Sequence, residues 1–199
     1  MRKLLLMAAV AVFGLSNVNA QDENTTGGFA EGDVFATGSI SFGSETFADE
    51  KLNQFTFNPS VGYFVSENIA VGVSLGYMSS KSEDGVSDDI KVSALTAGAF
   101  GQYYFTPGEQ FSFLVQLTAA YTSGKTEVGD AEAKNNGFIA GFAPGISYFV
   151  SDCLALQANI GVLSYQTTKP DFDGAESTDN FNIGLNLTDI NFGITYKFN

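Results

Sequence analysis

Large apolar residues alternate with small or polar ones along most of the chain, the period-two rhythm of a β-strand. In 55–63, Phe55, Phe57, Pro59, Val61 and Tyr63 alternate with Thr56, Asn58, Ser60 and Gly62. Segments 69–77, 111–121, 154–162 and 192–198 repeat the pattern, and 34–42, 95–105 and 138–148 follow it less cleanly. The rhythm predicts eight strands, over 33–43, 53–65, 69–79, 90–105, 111–123, 136–149, 153–165 and 181–198. In the last of these the phase slips near Thr188-Asp189. Phe181, Ile183, Leu185 and Leu187 fall on odd numbers, whereas Ile190, Phe192 and Ile194 fall on even ones. A β-bulge would restore the facing; alternatively 181–187 projects beyond the layer that holds the other strands.

Each strand thus has one bulky apolar face and one small or polar face. A soluble sheet turns the first face to a core, whereas a membrane barrel turns it to lipid and the second to a lumen. Connector lengths favour the barrel. Long connectors (44–52, 80–89, 124–135, 166–180) hold fourteen of the 22 acids, and they alternate with short ones at 66–68, 106–110 and 150–152. Most of the charge-free windows between them exceed the ~9–11 residues a tilted strand needs to cross hydrocarbon. Tyrosines gather at strand ends. Tyr63, Tyr103, Tyr148 and Tyr196 mark the short-turn rim, and Tyr77, Tyr121 and Tyr165 the other, with Tyr104 left over beside Tyr103. Two tyrosine rings match two membrane-interface girdles.

A repeat supports the same reading. Pro59 to Glu67 matches Pro144 to Asp152, 85 residues later, and Ala99 to Thr106 is a weaker copy. The unit is one β-hairpin, whose backbone is satisfied in lipid only when hairpins close on one another.

The N-terminus has a different character. Met1-Arg2-Lys3 is cationic, Leu4 to Gly14 is apolar, and Asn17-Val18-Asn19-Ala20 is small and polar. That order predicts a cleaved export signal over 1–20, followed by an N-terminal periplasmic segment over 21–32 and a barrel domain over 33–199. Without residues 1–20, seven lysines face 22 acids. Such a balance does not seek nucleic acid phosphates or anionic lipid by charge. The single cysteine, Cys153, forms no intramolecular disulfide and reads as a small spacer.

Candidate chemistry is sparse. The chain has no histidine, which removes Ser-His-Asp and Cys-His catalysis and imidazole zinc sites. The reading is not an enzyme, with no cofactor and no metal. The acidic connectors serve solvation, or, on a sharper reading, hold Ca²⁺ or Mg²⁺ against lipopolysaccharide phosphates. Asp171 to Glu176 lacks the spacing of a twelve-residue calcium loop. The inward set is small, with Gln54, Gln102, Gln116 and Gln157 added and Lys197 its one clear charge. An eight-stranded interior is just wide enough for side chains to fill it.

The export signal, the Pro-x-apolar-x-Tyr-Phe-apolar-Ser-Glu/Asp turns and the ending Phe192 to Asn199 resemble the small outer-membrane β-barrel proteins, the OmpA/OmpX-like porin family. The resemblance covers Asp33 to Asn199 and implies a closed, all-β, antiparallel up-and-down meander of about eight strands in the cell outer membrane. It implies an insertion signal at Phe192, Ile194, Tyr196 and Phe198, read by the barrel-insertion machinery. It implies contact with outer-membrane lipids and lipopolysaccharide, and a monomer with no peptidoglycan-binding module. The expected role is structural, surface-interacting or envelope-stabilising. The competing roles are a small-solute or lipophilic-molecule channel and a secreted soluble ligand-binding barrel.

Overall fold

The structure is a computed structural model, and it describes residues 27–47, 50–83, 88–184 and 190–198. The proposed export signal and the slip at Thr188-Asp189 lie outside these residues.

Ten strands run in chain order: β1 (Val34–Phe47), β2 (Glu50–Phe64), β3 (Ile69–Glu83), β4 (Ile90–Tyr104), β5 (Phe111–Val128), β6 (Ala131–Phe149), β7 (Leu154–Ile160), β8 (Leu163–Pro170), β9 (Thr178–Ile183) and β10 (Ile190–Phe198). β7 and β8 form one interrupted span, and so do β9 and β10, so the barrel has eight spans. Every pairing is antiparallel. β1 meets β10 from Val34↔Phe198 to Gly38↔Ile194 and closes the ring. Closure removes the sheet edges that lipid would leave unsatisfied.

Two expectations need correction. The connectors 44–52 and 124–135 are mostly strand. β1 runs to Phe47 and β2 starts at Glu50, while β5 and β6 are joined only by Gly129 and Asp130. Gly129 has a φ of 57°, the left-handed conformation that lets two long strands reverse in so few residues. The acids there ride on strand extensions, paired Glu127↔Glu132 across the hairpin. Alternation could not reveal this, because above the membrane both faces of a strand meet water and the apolar period disappears.

The second correction concerns phase: the described residues show a slip in the β7–β8 span. β10 pairs with β7 up to Ile190↔Ile160, and β9 pairs with β8 from Leu163↔Ile183. Ile160 and Leu163 are an odd number of residues apart, so the outward parity flips there. Against β6 the register changes by one residue, from Gly145↔Asn159 to Phe142↔Leu163, which is a β-bulge in the β7–β8 span. Pro144 sits at the break; it has no N–H to offer, and the β7 ladder resumes only at Gly145. Pro59, its counterpart in the repeat, likewise falls where the β2–β3 ladder skips from Phe57↔Tyr77 to Ser60↔Ser74.

The outward face is apolar all round the barrel. Val73 is 63% exposed and Phe192 71%, and Ile40, Leu75, Leu95, Phe113, Leu117 and Leu156 are exposed too. A soluble monomer does not present a continuous apolar belt of this kind. From Phe111 to Tyr121 the outward positions of β5 span ten steps, about 33 Å of strand. At the ~40° tilt of such barrels that gives about 25 Å of height, the thickness of an outer-membrane apolar band.

Candidate functional site

The lumen has two unlike halves. At the short-turn end it is filled by aromatic rings. Phe35 on β1, Phe64 on β2, Phe100 and Tyr104 on β4, Leu114 on β5 and Phe149 on β6 all point inward and are buried. The small inward set expected from alternation is therefore wrong at this end. The signal was present in the repeat. Its three aromatic doublets, Tyr63-Phe64, Tyr103-Tyr104 and Tyr148-Phe149, each put the first ring outward and the second into the lumen. Tyr104, left over in the girdle count, is the inward member of its doublet. Room for these rings comes from glycine on the adjacent strand. A Cβ on Gly62 would lie 2.2 Å from the Phe35 ring, and one on Gly72 2.4 Å from Phe100.

The segment before β1 completes this floor. Residues 27–32, separated from the barrel by the sequence boundary at 33, pack inside its end. Phe29 is 3% exposed. Its ring centroid lies 4.7 Å from Phe64, 4.8 Å from Phe149, 5.3 Å from Phe35 and 5.4 Å from Tyr104. Among the described rings, Phe149 meets no aromatic partner except Phe29, so Phe29 links β6 to β1, β2 and β4 across the lumen. Backbone bonds hold the segment in place: Phe29 N donates to Pro107 O at 2.7 Å, and Gly32 N to Phe64 O at 2.9 Å. Lys197, the inward charge expected from sequence, donates to Gly28 O at 2.7 Å and faces Asp33 at 3.9 Å. Its ammonium also lies 5.7 Å from the centre of the Phe149 ring.

Above the floor is a polar, uncharged cavity of about 270 Å³, open toward the long-hairpin end. Its walls carry Gln102, Gln116, Gln157, Asn58 and Asn159, and Phe100 forms part of its base. Gln102 Nε2 donates to Gln116 Oε1 at 2.8 Å, and Tyr104 donates its hydroxyl to Gln102 Oε1 at 3.2 Å. Thr37 and Thr195 share a 2.8 Å bond. Among the described residues, no ionisable side chain lines this space. Gln54, also on the inward face, is exposed higher up in the mouth. Above Gly38↔Ile194, among the described residues, β1 pairs with β2 and β9 with β8.

The long-hairpin end is charged. Lys81 pairs with Glu83 and Asp89, and Lys125 with Glu127 and Glu132. Lys134 joins Glu132 at 3.0 Å. Hydrogen bonds from Lys125 and Lys134 hold the Glu132 carboxyl below the usual carboxylate range. Among the described residues no group of acids is arranged to hold a metal ion. The girdle tyrosines Tyr63, Tyr77, Tyr103, Tyr121, Tyr148 and Tyr196 are all exposed on the outer face, as are Phe192, Ile194 and Phe198 of the last strand.

No curated protein matches the chain in sequence. Among solved structures, OprG from Pseudomonas aeruginosa is similar with a TM-score of 0.53 at 13% identity, over 88% of this chain and 99% of that one. The N-terminal barrel domain of Pseudomonas aeruginosa OprF gives 0.48 at 19% identity, over 85% and 100%. Neisserial surface protein A gives 0.49 at 15% identity, over 83% and 97%. The family model described as outer membrane protein beta-barrel domain matches residues 7–198. Nearly the whole chain therefore belongs to that family, and it sits in the outer membrane as a closed barrel of eight spans.

Proposed function

We propose that this protein is a non-enzymatic structural and surface-interacting component of the outer membrane, not a through-channel. The observation that carries the reading is the floor, where Phe29 packs against rings from four spans and fills the short-turn end of the lumen. A chain without histidine also lacks the usual nucleophile-activating base. The test is planar-bilayer recording of the purified mature protein. Silence is expected, and stable single-channel steps would overturn the reading.

The rest of the proposal follows the chain. Export ends in cleavage after Ala20, so N-terminal sequencing of the membrane-borne protein should begin at Gln21. The insertion machinery reads Phe192, Ile194, Tyr196 and Phe198, and the six exposed tyrosines seat the barrel at the two interfaces as a monomer. Lipid and lipopolysaccharide are its standing partners.

A further inference from the structure

We propose that the cavity above the floor is a binding site for a small, neutral, polyhydroxylated solute of monosaccharide size, entering from the long-hairpin end. Three features of the cavity lead there. The first is its chemistry. The walls offer amides and hydroxyls from opposite sides of the barrel, and part of that capacity is unused. Among the described residues, the side chains of Asn58, Ser39 and Ser74, which line the space, bond to no protein group. Polar groups that face a cavity without a protein partner are met by water or by a ligand. Phe100 adds an apolar surface at the base, suited to the C–H face of a sugar ring.

The second feature is charge. The mouth carries Glu83, Asp88, Asp89, Glu127 and Glu132, which repel anions before they enter. Lys81 and Lys125 are already engaged by these carboxylates. A cation is drawn to the rim, yet inside it meets, among the described residues, no carboxylate to replace its hydration. Only a neutral solute exchanges water for amide and hydroxyl partners without that cost. The third feature is size. At ~30 Å³ per water, 270 Å³ holds about nine waters. That suffices for one monosaccharide within the walls, and the aromatic floor closes the space below.

The test uses the full mature chain refolded in detergent micelles, with D-glucose and gluconate as probes. Saturable calorimetric heats or amide shifts at lumen positions are expected for glucose at millimolar concentration, and none for gluconate. Asn58→Leu and Asn159→Leu should each weaken glucose binding by about tenfold, the loss of one or two hydrogen bonds. Asn58 lies at the open side, so its variant is the safer one for folding; heat-modifiable gel mobility verifies the barrel in both. A wild-type barrel that shows no saturation with glucose holds water alone, and the proposal fails. Equal binding of gluconate, or glucose binding unmoved in Asn58→Leu, also overturns it. Conductance is a separate readout: a silent barrel that binds no sugar leaves the structural role standing.

Discussion

Replacing Phe29 with alanine should unlatch the floor of the barrel. The ring is almost fully buried and touches four aromatic neighbours at 4.7–5.4 Å. Truncating a buried phenylalanine costs about 3–5 kcal/mol. Four aromatic contacts at roughly 0.5–1.5 kcal/mol each give a similar range. The ladders between spans are untouched by the change, so the loss falls on docking of residues 27–33. Hydrogen bonds from Phe29 N to Pro107 O and from Lys197 to Gly28 O remain and limit the release. At about 1.4 kcal/mol per tenfold, the undocked population should rise by roughly a hundred- to a few thousandfold. Hydrogen exchange at the Phe29-equivalent amide reads this directly, and should quicken by about two to three orders of magnitude while mid-strand amides of β4 hold their rates. The gap left between Phe149 and Phe64 should also admit ions, giving brief bilayer currents absent from the wild type. Exchange within tenfold of wild type, from a barrel of native gel mobility and with no current, would refute the assignment of Phe29 as the latch.

Three further outcomes check other parts of the structure. Val73→Lys, opposite Val61 and Ala99 at mid-barrel, should destabilise insertion into vesicles by about 2–4 kcal/mol in urea titrations, and a cost under about 1 kcal/mol would place that face away from lipid. Gln116→Leu strands Gln102, which is 4% exposed, and should cost about 1–3 kcal/mol by the same titration, whereas Ser60→Ala loses one 3.3 Å bond to Thr37 O and should cost less than about 1.5 kcal/mol. The Glu132 carboxyl titrates below its unfolded value, so its contribution to the β5–β6 hairpin is full at neutral pH and fades as pH falls through and below the usual carboxylate range near about 4. Protection of the amides at 126–133, taken relative to their intrinsic exchange rates at each pH, should therefore fall on acidification, and identical protection at about pH 6 and about pH 2.5 would remove Glu132 as the clasp.

Much of the fold was legible because lipid imposes a simple rule: every outward position between the girdles must be apolar. Phe57, Val73, Phe113 and Leu156 obey it: alternation puts them on one face, and connector lengths and tyrosine placement turn that face to lipid. The rule says nothing above the membrane, which is why the strand extensions past Tyr121 and Phe42 read as loops. It says little about the lumen, where Thr, Gln and Phe are all tolerated if their neighbours fit. Alternation places Gln116 on the inward face; only the three-dimensional register, Gln102↔Gln116, reveals its bond. The phase slip in the β7–β8 span was visible in principle. Val162 and Tyr165, both taken as outward, have opposite parity, and a bulge between them follows from that alone.

The asymmetry of the lumen owes much to the repeated aromatic doublets, joined at the floor by Phe29, Phe35, Phe100 and Leu114. An eight-span barrel has a narrow interior, and whether it closes depends on what the inward residues are. Here the inward residues of the upper half are small amides and hydroxyls, and the space stays open. In the lower half the second aromatic of each repeated doublet turns inward, because a strand places neighbours on opposite faces. The outward tyrosine and the inward ring are therefore inseparable: whatever height seats the first at the interface puts the second at the floor. The three doublets supply Phe64, Tyr104 and Phe149, and Phe29 occupies the space among them. Replacing the inward members with small residues would leave the sheet, its register and its lipid face in place, and turn the cup into a tube.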